Sequence, residues 1–114
     1  MPENLPLLSV DVEVGTGFDA SGLKEEALAF DIDLGVGSGL NADRILKFVT
    51  DLKAETLASI RSLVLRIVGI GEVKGLKITL DGVEIGSAQT ADLAVLRSTI
   101  ADTLDDLARH KLGS

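Results

Sequence analysis

Hydrophobic and polar positions alternate with a period of two in some stretches and recur at helical spacing in others. Leu8, Val10, Val12 and Val14 face one way while Ser9, Asp11 and Glu13 face the other, as in a strand with one buried side. Residues 1–7 read as a tail, because Pro2 and Pro6 oppose regular pairing. GTGFDASG follows as a loop, and residues 23–27 read as a helical turn or as the start of the next strand. Leu28, Phe30, Ile32 and Leu34 alternate with Ala29, Asp31 and Asp33, which predicts a second strand running toward Val36. Gly35, Gly37 and Gly39 then break the alternation.

From Asn41 onward, Ile45, Val49, Leu52, Thr56, Ile60, Val64 and Ile67 recur at helical spacing. Asn41 suits an N-cap and Asp43 suits the first turn. Unbroken to Val68, this helix would have about 28 residues and a length of ~40 Å, far longer than a small sheet. Leu57, Leu63, Leu65 and Val68 widen its stripe until it is apolar on more than one side. Residues 63–70 are also rich in β-branched side chains, so a strand is the alternative there.

Residues 76–85 carry the strongest local signal. Asp81-Gly82 sits between alternating runs, as in a type I′ hairpin that pairs Leu80 with Val83 and Ile78 with Ile85. Ser87 or Thr90 is expected to cap a last helix with the stripe Leu93, Leu96, Ile100, Leu104 and Leu107. Arg109, His110 and Lys111 occupy its last turn, where cations suit the helix dipole. These elements predict one α+β domain over residues 8–112. Its sheet would have four antiparallel or mixed strands in the order ββαββα. The long helix and the C-terminal helix would cover one face. The first two strands would pair directly, and a right-handed crossover through the long helix would join the two hairpins.

Composition narrows the function. The 114 residues are 46% hydrophobic but only 3% aromatic, so the core must be aliphatic, and Phe18, Phe30 and Phe48 are the only Phe, Tyr or Trp side chains. A net charge of −7 argues against nucleic acid and anionic membrane surfaces as partners. The absence of cysteine excludes disulfides and thiolate chemistry, and His110 is the single histidine. No leader pattern and no apolar run long enough to span a membrane is visible, so the cytoplasm is the expected location.

Four groups of residues invite a functional reading. Asp33, Gly35, Gly37 and Gly39, followed by Asn41, place an acidic strand end and alternate glycines before the expected helix. That spacing resembles the first motif of class I S-adenosylmethionine-dependent methyltransferases. The resemblance implies an adenosyl or phosphate ligand lying against bare backbone N–H groups. It covers only this stretch, and the chain is too short for that family's seven-stranded sheet. Otherwise the glycines are an ordinary turn. Asp11, Glu13, Asp31 and Asp33 would share the outer face of the first two strands, as a solvated face or as oxygen ligands for Ca²⁺ or Mg²⁺. Arg61 and Arg66 lie within the apolar helix as anion contacts or interface anchors, or as side chains that reach solvent or pair with carboxylates. His110 reads as a surface partner of the helix dipole. No cofactor is expected. The best overall expectation is a non-enzymatic interaction or assembly module. It would self-associate or dock on a protein partner through Leu57, Ile60, Arg61, Val64, Leu65 and Val68.

Overall fold

The computed structural model describes residues 5–15, 17–19, 21–38, 44–70 and 72–111. Among these are five strands and three helices: β1 (Leu7–Val14), α1 (Leu23–Ala29), β2 (Asp33–Ser38), β3 (Arg44–Asp51), α2 (Ala54–Ile70), β4 (Val73–Leu80), β5 (Val83–Ala88) and α3 (Leu93–Lys111). The strands form one sheet in the order β2-β3-β1-β4-β5, and every neighbouring pair is antiparallel. The α+β class is as expected, but the sheet has five strands rather than four and the order is βαββαββα.

β1 is the central strand. Leu8, Val10, Val12 and Val14 are buried under the helices, and Ser9, Asp11 and Glu13 are half-buried on the open face. β3 and β4 flank β1 and both run antiparallel to it, so they are parallel to each other. Parallel strands need a crossover, and α2 supplies it. β1 and β2 are likewise parallel, joined through α1 with β3 between them. The expected direct pairing of the first two strands is therefore replaced by two pairings to β3.

The predicted 28-residue helix divides into β3, a short connection and α2. Ile45, Val49 and Leu52 match helical spacing, but the deciding alternation is Leu46, Phe48 and Thr50, all buried, against Ile45, Lys47 and Val49. Ile45 and Val49 are half-buried on the open face, so β3 is apolar on both sides and mimics a helical run. α2 begins at a local cap. Thr56 Oγ1 accepts from the Lys53 N–H at 3.0 Å and donates to the Asp51 carbonyl at 2.6 Å. From there α2 is a helix through Ile70, so the strand alternative for residues 63–70 is not realised. Leu57, Ile60, Leu63, Val64, Ile67 and Val68 are buried because the sheet lies below and α3 lies alongside.

The second expected strand begins later than the alternation suggested. Residues 23–29 are helical, and Asp31 follows with φ 64°. The Ile32 N–H donates to the Ala27 carbonyl and the Asp31 N–H to the Leu28 carbonyl, which is a Schellman end with Asp31 in the left-handed position. Ile32 is fully buried as that motif's apolar contact. The Asp81-Gly82 turn forms as expected, with φ 51° and 84° and with Leu80 opposite Val83. Asp81 Oδ1 accepts from the Leu7 N–H at 2.8 Å, tying the turn to the start of β1. A bulge then shifts the register, so that Ile78 faces Gly86 instead of Ile85. The cap of α3 is Asp92, whose Oδ1 accepts from the Ala94 N–H, rather than Ser87 or Thr90.

Candidate interaction surface

The two outer strands of the sheet are β2 and β5. β2 pairs with β3 in an unbroken register along its whole length. Its sequence, DLGVGS, holds one charge, at its first position, and no lysine or proline. Alternate residues of an outer strand turn N–H and C=O groups away from the sheet, a ready template for another strand. Gly35 and Gly37 present the open face without side chains, and among the described residues nothing stands within 4 Å of where a Cβ would be. Val36, on the helix side, is 57% exposed.

α1 packs chiefly on β2 and so is the helix nearest this edge. Leu23 and Ala27 point into the core, and Glu26 pairs with Arg66 of α2. At about 100° per residue, Leu28 then projects away from α2, toward the free edge. It is 56% exposed. The edge of β2 is thus flat, nearly uncharged and bordered on the helix side by two exposed aliphatic residues. Alternation placed both in one strand; the signal that marks Val36 is an apolar residue between glycines with no charge beside it, and Leu28, between Ala27 and Ala29, has no such signal.

The other candidate residues fall in separate places. Asp11 and Glu13 lie on the open face of β1, Asp33 lies on that of β2, and β3 separates them. Asp31 is the helix end described above. Among the described residues no group of three or more potential ligands converges. Lys47 and Lys77 stand directly opposite Asp11 on the flanking strands. Asp11 Oδ1 is buried without a hydrogen-bond partner among the described residues. With Gly35, Val36, Gly37, Ile45 and Lys47, Asp11 lines a shallow trough beside β2.

Gly35 and Gly37 are strand residues of β2, and β3 follows it, so the strand–glycine–helix arrangement of the methyltransferase motif does not form. Gly39 and Asn41 lie outside the described residues. Within α2, Leu57, Ile60, Val64 and Val68 belong to the core, and Leu65 is partly buried against it. Arg61 pairs with Asp105 of α3 at 2.9 Å. The hydrogen bond from Arg66 holds the Glu26 carboxyl below the usual carboxylate range, and Glu26 in turn raises the Arg66 guanidinium. Both arginines therefore fasten neighbouring helices to α2. His110 is exposed near the end of α3, at the rim of a groove it shares with Leu80, Ile85, Thr103 and Leu107. No helix among the described residues is long and apolar enough to cross a membrane.

Comparison with protein-family models, with curated proteins and with solved structures finds no match.

Proposed function

We propose that this domain is a non-enzymatic interaction module that docks a protein partner by adding an extended strand to the edge of β2. The observation that carries the reading is the contrast between the unguarded β2 edge and its exposed Leu28 and Val36. Main-chain hydrogen bonds would supply affinity along the edge. The two aliphatic side chains would supply apolar area on one face. The sequence expectation of an assembly surface is kept, but it moves from α2, whose apolar residues are buried within the chain, to β2 and α1.

The test is an amide NMR titration of dilute protein with a capped hexapeptide, Lys-Val-Thr-Val-Lys-Val, whose lysines suit a chain of net charge −7. Shifts confined to β2, β3 and α1, and lost in Val36→Lys, are the expected result. Shifts centred on β5 or α3, or no shifts, overturn the reading.

A further inference from the structure

Resting on that reading, we infer that the occupant of the β2 edge is β2 of a second copy. The two strands run antiparallel about a two-fold axis, so that two five-stranded sheets become one continuous sheet. An axis perpendicular to the sheet keeps both helix layers on one side. Residues opposite each other must then share a face.

The sequence of β2 permits this self-pairing. With Val36 opposite its own copy, Gly35 stands opposite Gly37, and the two Asp33 side chains lie at opposite ends of the junction. No like charges meet across the strands, although the whole chain is acidic. On the open face the junction is bare glycine, so neither copy obstructs the other. On the helix side, Val36 of each copy meets the other, and Leu28 of each α1 overhangs the seam. Both residues are more than half exposed in the single chain. A strand pair alone covers less area than a specific interface needs, and these side chains add apolar surface where it is short. β5, the other outer strand, exposes Val83 and Ile85, but its register is interrupted, it carries Glu84, and α3 packs on its helix side at Gly86.

The experiment is sedimentation equilibrium of the full chain over a range of concentrations, with Val36→Lys and Leu28→Lys alongside. The chain has no cysteine, so Val36→Cys gives a single thiol for oxidative cross-linking, and Val83→Cys on the other edge is the control. The expected result is a monomer–dimer equilibrium. Its dissociation constant should rise roughly tenfold or more in each lysine variant. Disulfide dimers should form far faster through position 36 than through 83. Melting temperatures of the dilute lysine variants should match the parent, because both sites are exposed. A monomer at every concentration, a dimer insensitive to Val36→Lys, or equal cross-linking at both positions overturns the second copy as occupant. If the hexapeptide still perturbs β2 in that case, strand addition stands and only the self-pairing falls; if it does not, both fall.

Discussion

The sheet ends in two different ways. At β5 a bulge interrupts the pairing, and α3 approaches so closely that a Cβ on Gly86 would overlap Thr103 Oγ1 and lie 3.2 Å from its Cγ2. At β2 the pairing is regular, and no described residue stands in front of Gly35 or Gly37. The same residue type therefore serves two purposes. Gly86 lets α3 pack closely on the helix-side face of β5, whereas Gly35 and Gly37 leave the open face of β2 bare.

The largest expected effect is on the closed side. Gly86→Ala should destabilise the fold by about 1–3 kcal/mol through overpacking against α3, measured by urea denaturation. Thr103→Ala in the same chain should recover part of that loss. Unchanged stability in Gly86→Ala would mean that α3 does not seal β5 tightly. On the open side the sign reverses. Gly35→Val has room for its side chain, and a strand glycine costs roughly 0.5–1 kcal/mol, so the variant should be more stable by about that much. A loss of stability there would show that the trough beside Asp11 is occupied or closed.

Smaller effects concern α1, which carries Leu28 beside the open edge. Asp31 holds a left-handed conformation that glycine adopts without strain, so Asp31→Gly should stabilise by about 0.5 kcal/mol in the same denaturation assay. The least effect is that of the exposed Glu26–Arg66 pair. Because the Glu26 carboxyl is held below its unfolded value, the pair contributes fully above the ordinary carboxylate range, and its contribution is lost as pH falls through the depressed value. Glu26→Gln should therefore differ from the parent in melting temperature near neutral pH, and the difference should shrink as pH falls below the ordinary carboxylate range. A constant difference across that range would show that the carboxylate's charge is not what joins α1 to α2.

Much of the architecture was legible along the chain. β1, the Asp81-Gly82 turn and the α3 stripe of Leu96, Ile100, Leu104 and Leu107 each obey one period, whereas the cap of α3 fell on Asp92 rather than Ser87 or Thr90, and Leu93 of the expected stripe is exposed. β3 was not legible, because Ile45 and Val49 are apolar on the face opposite Leu46 and Phe48, and a run apolar on both sides fits either period. Leu28 and Phe30 imitated strand alternation, although Leu28 belongs to a helix and Phe30 to its cap. Of the candidate sites, the carboxylates and glycines were visible as residues, but their arrangement depended on β3 entering between β1 and β2. The apolar surplus of α2 suggested a partner because nothing in its own sequence shows that a sheet and α3 lie against it. By itself the sequence determined the α+β class, the hairpin, the aliphatic core and the acidic charge, all of which follow from neighbouring residues and composition. The tertiary structure alone decided which strand lies beside which, that α2 is covered within the chain, and that β2 is an outer strand of the sheet among the described residues. Those outcomes depend on burial between segments far apart in the chain, which local periodicity does not encode.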